Sequence, residues 1–526
     1  MLTSFSIRED YWENFSLNAE DVHYLYEHLL EIEIPQTSME LVAVLVGDRL
    51  RRERAALERK QREGGDIYMP KEKYQKGDKL VFPAIAGKSG SVIDVRPANS
   101  YLEESFDVIE VAFDNGDSRL FATGLQTHVL NNPPEISDDD PLLSPQAVIV
   151  TWGELLLERL SADLAENEDF VNIAGRWFPI ALVVEINEGH LNLAEAILDM
   201  HAGGPLATSE IIKDVDLPKG DNPKLAEFSM DMALQDDQRF DEVGSTGEVL
   251  WFLHRLEPPA VKRTPIYLHY SAGEYDRSVL TEEMLAFEQR IDDEHSEVQE
   301  EPHGEEHVQV HLIYPHWRTG SLPLTKRIQR MFPSAYESPR IRFMLVDGQS
   351  GKQFPGWVVR LERYVYGLRE WYLDRGVFPG SFVNVKPGDH PGEVIVDVES
   401  HRSSKEWVRT ALVGADGKVV YGLLKQQVET SFDDRMAVFM PSDLSALDAA
   451  WEKKVHNPPA FEQVVVNTLK ELAKLNPQSH VHARELYSAL NLVMRTPPGP
   501  MLALLASRQW FTHVGDLHFR YEDDQS

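Results

Sequence analysis

The sequence predicts a multidomain α+β protein with two small β-barrels and two units that each combine three helices with a β-hairpin. Its 526 residues are too many for one hydrophobic core, because large chains divide into several domains. Stretches with apolar residues at helical spacing alternate with stretches of short strands and turns. A hydrophobic content of 42% and an aromatic content of 9% are ordinary for folded domains.

Composition excludes several kinds of site. The absence of cysteine excludes disulfides, zinc ribbons, iron–sulfur clusters and thiol catalysis. We expect no membrane span, because no apolar run is as long as about 18 residues. The first residues, MLTSFSIREDYWENF, carry acids where a signal peptide needs a basic start, which predicts a cytoplasmic protein. The net charge of −34 argues against indiscriminate DNA coating, since that affinity comes from phosphate neutralisation.

Two segments in the first part of the chain are predicted to be mainly helical. In residues 1–65, Asn18 and Asp21 are placed as a capping pair, and apolar residues follow at helical spacing. The Pro- and Asp-rich linker Asn131–Gln146 (NNPPEISDDDPLLSPQ) leads into the segment 132–187, which continues as a helix and a strand.

Residues 66–131, between these helical segments, are predicted to form a small barrel of three to five short strands. Asn115–Gly116 is a hairpin signal. The phrases Gly-Asp-x-Leu, Gly-x-Val-x-x-Val-Arg and Val-x-Phe resemble the SH3-like barrels of KOW and Tudor type, at about residues 71–131. That resemblance implies a module that binds RNA, peptides or polymerase; a structural spacer is the open alternative.

Residues 188–258 are predicted to form three helices followed by a hairpin. An apolar first helix is followed by Gly-Gly-Pro-Leu, Thr-x-Glu-Ile and Asp-x-Arg-Phe. This pattern resembles the HARE-HTH family of winged-helix domains, shared by the RNA polymerase delta subunit, the Additional-sex-combs-like chromatin proteins and some restriction endonucleases. The resemblance implies association with DNA or with polymerase.

The third helix of this unit is acidic, whereas a helix that reads a DNA groove needs cations and amide side chains. We therefore expect it to contact a protein partner, with a merely solvated acidic helix as the alternative. The predicted partner-binding residues are Glu227, Asp231, Asp236 and Asp237.

Residues 259–308 are predicted to be an acidic linker. Within it, residues 281–306 contain eleven acids and one base, Arg290. The pattern fits either a solvated helix that continues into a flexible tether or a disordered spacer.

Residues 309–400 are strand-rich and carry a strongly basic stretch. From Trp317 to Arg375 there are eleven Lys and Arg against five Asp and Glu, a net of +6. Because the arginine fork matches phosphate oxygens, this suggests one confined polyanion-binding face. The alternative is that these cations pair with the protein's own carboxylates. The predicted nucleic-acid contacts are Arg318, Lys326, Arg327, Arg330, Arg340, Arg342, Arg360, Arg363 and Arg369.

The same stretch resembles a known DNA-binding fold. Its Leu-Thr … Phe-Pro, Leu-x-Asp-Gly, Gly-Leu-x-x-Trp-Tyr and Pro-Gly-x-x-Val phrases, together with Trp357, are similar to the pseudobarrel of plant transcription factors and of some restriction-enzyme effector domains. The resemblance implies a central β pseudobarrel whose arms straddle a major groove.

The last two segments are an α+β extension at 401–458 and a second winged-helix pattern at 459–523. In the latter, Pro498 begins the third helix and WFTHVGDLHFRY forms the hairpin. His480 and His482 near Glu485 are expected to have surface or capping roles rather than to bind metal.

The motifs of common enzymes are absent from the sequence: G-x-S-x-G, G-x-G-x-x-G, a P-loop and H-E-x-x-H. We therefore expect no catalytic residue, no cofactor and no metal site. The predicted function is a non-enzymatic, nucleic-acid-associated regulator such as a transcription accessory factor. It would bind DNA, or RNA, through the basic barrel and a protein such as RNA polymerase through the acidic winged helix. The alternatives are a scaffold without nucleic-acid binding and a non-catalytic subunit of a restriction or phage-defence system.

Overall fold

The computed structural model describes residues 10–63, 66–82, 85, 88–98, 106–113, 116–131, 144–173, 175–215, 217, 222–271, 273–298, 304–335, 338–414, 418–441 and 443–522. The chain divides into two compact units. The first comprises Met1–Glu185 with Pro218–Ser229, and the second comprises Ile186–Leu217 with Met230–Ser526. The fold is mixed α+β, as predicted. Among the described helices, none combines the length and apolar character that a membrane span needs.

The first unit contains helices on both sides of a strand-rich segment. Its helices are α1 (Ala19–Ile32), α2 (Ser38–Glu63) and α3 (Pro145–Ala165). Its strands are β1 (Gln36–Thr37), β2 (Asp66–Ile67), β3 (Lys79–Phe82), β4 (Lys88–Pro97), β5 (Asp107–Phe113), β6 (Ser118–Thr123), β7 (Phe170–Ile173) and β8 (Arg176–Pro179). One sheet has the order β1-β8-β7, and β2 to β6 form a second sheet in chain order.

Each sheet of the first unit has its own core.

The predicted capping pair is confirmed at α1, where Asn18 Oδ1 accepts from Asp21 N at 2.9 Å and the Asp21 carboxylate accepts from Asn18 N at 3.1 Å. The five-stranded sheet packs around aromatic rings, with Phe82 stacked on Tyr68 at 4.8 Å between ring centroids. The strands of the predicted barrel are thus present, and its SH3-like assignment stays a prediction. Residues 132–143 of the predicted linker lie outside the described residues.

The second unit contains most of the chain. Its helices are α4 (Glu188–Met200), α5 (Thr208–Ile211), α6 (Pro223–Asp236, which begins in the first unit), α7 (Pro259–Lys262), α8 (Glu282–Ile291), α9 (Tyr314–Thr319), α10 (Lys326–Gln329), α11 (Arg369–Asp374), α12 (Ser445–His456), α13 (Phe461–Ala473), α14 (Ala483–Val493) and α15 (Pro498–Ser507). Its strands are β9 (Leu206–Ala207), β10 (Phe240–Glu242), β11 (Leu250–Leu253), β12 (Val308–His311), β13 (Ser321–Pro323), β14 (Arg340–Asp347), β15 (Gln353–Val359), β16 (Tyr364–Tyr366), β17 (Phe382–Pro387), β18 (Glu393–Asp397), β19 (Ser400–Val413), β20 (Val419–Thr430), β21 (Val481–His482), β22 (Phe511–Gly515) and β23 (His518–Tyr521).

A seven-stranded, nearly closed, barrel-like sheet is the centre of this unit. Its order is β12-β17-β18-β14-β15-β16-β13, and only the described pair β14–β18 is parallel. Along β14, Ile341, Phe343 and Leu345 are buried while Arg340 and Arg342 lie on the opposite face. The strand-rich basic domain is therefore present, and its likeness to a DNA-binding pseudobarrel stays a prediction.

The same order of elements occurs three times, and we call each occurrence a helix–hairpin set. A helix is followed by a two-residue strand that leads directly into a second helix, then by a third helix and a hairpin; in the first set, strands β2 to β6 are inserted between the second and third helices. The two-residue strand always pairs with the last strand of the hairpin: β1 with β8, β9 with β11, and β21 with β23. The third helix begins each time at a proline, namely Pro145, Pro223 or Pro498.

The expected acidic linker at 259–308 is wrong for its central part. Helix α8 buries Met284, Phe287 and Ile291 in the main core of the unit. Asp293 and Glu294 follow it and are 3% and 2% exposed. Residues 299–303 lie outside the described part. The charge-rich pattern was misleading because the cation that balances these acids comes from the far end of the chain.

Candidate nucleic-acid interface

The nine predicted cations do not form one patch. Three of them pair with the protein's own carboxylates: Arg318 with Asp448 at 2.8 Å, Arg327 with Glu305 at 2.8 Å, and Arg340 with Asp241. The hydrogen bond to Asp448 raises the pKa of Arg318. Since an arginine bonded to a carboxylate has little charge left for phosphate, these three fit the alternative of internal pairing.

Two more arginines are packing residues. Arg342 donates to Gly204 O at 3.2 Å and lies 5.2 Å from the Phe252 ring centroid. Arg369 donates to Trp317 O at 2.9 Å and lies 4.6 Å above the same tryptophan ring. Burial lowers the pKa of both guanidinium groups. These contacts assign Arg342 and Arg369 a structural role in the fold.

Three of the predicted cations, Lys326, Arg360 and Arg363, line one open groove of about 790 Å³, which we call the basic groove. Arg360 donates to Ser338 O at 2.9 Å and Arg363 donates to Glu294 O at 3.0 Å. Within the described part of the chain, neither guanidinium has a carboxylate at ion-pair distance. Their positive charge therefore stays available, and each fork keeps further N–H donors.

Local backbone geometry directs these side chains into the groove. Arg360 follows β15, and the turn that reverses the chain closes with Arg363 N donating to Arg360 O at 3.3 Å. Arg363 has φ of 56°, a left-handed conformation that is uncommon for a residue other than glycine. Its carbonyl accepts from Leu324 N at 2.8 Å, which fixes the turn beside α10 and hence beside Lys326.

The groove also contains one exposed carboxylate, Glu297, which sequence reasoning did not place there. Arg277 Nε lies 3.4 Å from it, so its charge is already partly compensated. Gln329 adds an amide that can bond to phosphate or sugar oxygens. Arg330, the remaining predicted contact, is exposed just after α10.

The four acids predicted to bind a partner do not share one role. Asp231 is 7% exposed and accepts hydrogen bonds from the Thr208 hydroxyl and, at 2.9 Å, from Trp251 Nε1. It is a core residue, and its assignment to a partner-binding surface is wrong. Asp237 binds Arg239 at 2.7 Å, which lowers the pKa of Asp237.

The other two acids remain open to solvent to different extents. Glu227 is half-buried and lies 3.2 Å from Lys224 Nζ. Asp236 is exposed at the end of α6. Of the predicted acidic contacts, Asp236 is thus the one that the structure presents fully to solvent.

A larger cleft of about 880 Å³ lies between the segment that contains Tyr275 and the last helix–hairpin set. Lys454 lines it, and burial lowers the pKa of this amine to about 8. Its Nζ donates to Val493 O at 2.7 Å and lies 6.0 Å from the Trp451 ring centroid. These contacts identify Lys454 as a cap of the carboxyl end of α14.

Comparison of the chain with models of known protein families, with curated proteins and with solved structures gives no match.

Proposed function

We propose that the protein is a non-enzymatic, nucleic-acid-associated regulator whose phosphate contacts are made in the basic groove. The observation that carries this proposal is the convergence of Lys326, Arg360 and Arg363 on one groove. On a chain with a net charge of −34, this is a confined positive site. The surrounding negative surface restricts a polyanion to that site, because like charges repel it elsewhere.

The groove arginines are arranged to bind the phosphate of a ligand rather than to pair with a carboxylate of the protein itself. Both guanidinium groups are oriented by backbone carbonyls, which fix their direction and leave their charge uncompensated. Such pre-oriented forks bind phosphate oxygens with little loss of side-chain entropy. Base identity is not read by these contacts, so we expect binding of DNA, and of RNA, with weak sequence preference.

The three helix–hairpin sets support the same functional class. Their order of elements resembles that of a winged helix, and the second set carries the residues that resemble the HARE-HTH family. The role we propose for the second set is contact with a protein such as RNA polymerase, with Asp236 as its exposed acid. Together these features favour a transcription accessory factor.

The test compares binding of a short DNA duplex, and of an RNA hairpin of similar length, at several salt concentrations. The variant K326Q/R360Q/R363Q removes the groove charges. The control K352Q/K386Q/K405Q removes three exposed lysines elsewhere in the same unit and gives the same net charge. Each phosphate contact contributes about 0.9 to the slope of log K against log salt concentration, so loss of the two arginine contacts alone lowers the magnitude of that slope by about 1.8.

The control variant is expected to bind as the unchanged protein does. Equal slopes for the groove variant and the unchanged protein would contradict the proposal. A second function, a protein scaffold without nucleic-acid binding, is favoured by the internal pairing of Arg318, Arg327 and Arg340. Absence of salt-dependent binding in the unchanged protein would support that function instead.

A further inference from the structure

A buried carboxyl group without a hydrogen-bond partner marks a second site, whose ligand differs from that of the basic groove. Glu257 is 2% exposed, and neither of its side-chain oxygens has a hydrogen-bond partner among the described residues. A buried carboxyl group without a hydrogen-bond partner is costly, and such a group in a folded protein needs an explanation.

Two further ligand-type side chains face this carboxylate. His254 Nδ1 lies 3.2 Å from Glu257 Oε2 and 3.9 Å from Asp241 Oδ2. One ligand atom from each of the three residues lies within 4.8 Å of the others. Two ligands bound to one ion at about 2.2 Å are at most about 4.4 Å apart, and the separations of 3.2 and 3.9 Å from His254 Nδ1 are within that limit.

Local structure explains why these residues meet. Asp241 is on β10, which pairs antiparallel with β11. The chain leaves β11 in a single 3₁₀ turn, His254–Leu256, that ends at Glu257. Residues three apart lie on the same side of such a turn, so His254 and Glu257 both face Asp241.

The hydrogen bonds of the neighbouring cations Arg340 and Lys262 go to groups other than Glu257. Arg340 bonds to Asp241 and is 3.6 Å from Glu257 Oε2, so one guanidinium serves two carboxylates. Lys262 Nζ donates instead to the carbonyls of His254 and Arg255, at 3.3 and 3.4 Å. Burial raises the pKa of Glu257 to about 8, so this carboxyl group holds its proton near neutral pH, and both of its oxygens remain without a hydrogen-bond partner among the described residues.

We propose that Asp241, His254 and Glu257 bind a divalent transition-metal ion, with Zn²⁺ as the best match. One imidazole and two carboxylates form a ligand set that Zn²⁺ and Mn²⁺ accept. The His254 side chain is 42% exposed, which gives the ion a path from solvent. The ion links the hairpin of the second helix–hairpin set to the segment that follows it.

The test measures Zn²⁺ bound per chain by equilibrium dialysis of the full-length protein after treatment with a chelator. The variants Glu257→Gln and His254→Asn each remove a ligand, and their folding is checked by circular dichroism. A second group of imidazoles, in which the His518 ring lies 5.0 Å from His480 and 4.9 Å from His482, is a possible competitor for Zn²⁺. His518→Asn is therefore the matched control.

We expect both ligand variants to bind one equivalent of Zn²⁺ less than the unchanged protein. His518→Asn is expected to keep the equivalent that is bound by Asp241, His254 and Glu257. A rise in melting temperature with Zn²⁺ should occur in the control and be absent in His254→Asn. If Glu257→Gln does not fold, His254→Asn alone decides. The proposal is overturned if the unchanged protein binds neither Zn²⁺ nor Mn²⁺, or if the ligand variants bind as much as it does.

Discussion

Replacing Arg495 by methionine should destabilise the second unit more than any surface change. Arg495 is 3% exposed, and its Nη2 lies 2.7 Å from both Asp293 Oδ1 and Glu294 Oε1. Its Nη1 also donates to Asn491 Oδ1 at 3.1 Å. Methionine leaves two buried carboxylates without this cation, and breaking a buried pair typically costs about 3–5 kcal/mol. That is a large part of the roughly 5–15 kcal/mol that stabilises a domain.

Urea unfolding, followed by tryptophan fluorescence and circular dichroism, measures this loss. The control is Arg508→Met, which removes an exposed pair with Glu462 at 3.1 Å and should cost less than about 1 kcal/mol. Adding Asp293→Asn and Glu294→Gln to Arg495→Met should recover part of the stability, because amides carry no uncompensated charge. A loss for Arg495→Met no greater than that of Arg508→Met would refute the reasoning.

Two further predictions concern buried polar groups of the same unit. Asp231→Ala removes the acceptor of the buried Thr208 hydroxyl, while Trp251 Nε1 keeps Thr208 Oγ1 as an acceptor at 3.0 Å, and it should lower the free energy of unfolding by about 1–3 kcal/mol, whereas Asp236→Ala should leave it unchanged in urea unfolding. Equal free energies of unfolding for the Asp231→Ala and Asp236→Ala variants would contradict the assignment of Asp231 to the core. Burial lowers the pKa of His311 and of His482 to about 4. In the unfolded chain a histidine has a pKa near 6.5, so between pH 6.5 and 4 the unfolded chain binds more protons than the folded protein. The free energy of unfolding therefore falls as the pH is lowered through this range, by up to about 1.4 kcal/mol per pH unit for each histidine. His311→Asn/His482→Asn should flatten that slope in unfolding measured across this pH range; an unchanged slope would contradict the assignment.

Local signals in the sequence predicted local structure well. The capping pair Asn18 and Asp21 and the proline start of α15 are where the spacing placed them. The first helix–hairpin set was missed because the strand-rich segment 66–131 separates its second and third helices. Pro145, which begins the third helix, was the available signal.

Pairing between distant residues could not be predicted. Arg318 and Asp448 are 130 positions apart, and Arg340 and Asp241 are 99 apart. A count of charges along a sequence window finds cations but not their partners. For this reason the sequence suggested nine nucleic-acid contacts, of which three line the basic groove. The opposite error occurred at Asp293, whose partner lies 202 positions later.

The ion pairs of Arg495 also decide how the protein can be dissected. A fragment that ends at residue 458, where the sequence suggested a domain boundary, would strip Asp293 and Glu294 of their counter-ion and open the side of the core that α13 to α15 cover. The isolated C-terminal piece would in turn carry an orphaned guanidinium in its interior. Expression studies should therefore keep residues 280 to 522 on one polypeptide, and a protease that nicks near 458 should yield two pieces that stay associated until denatured.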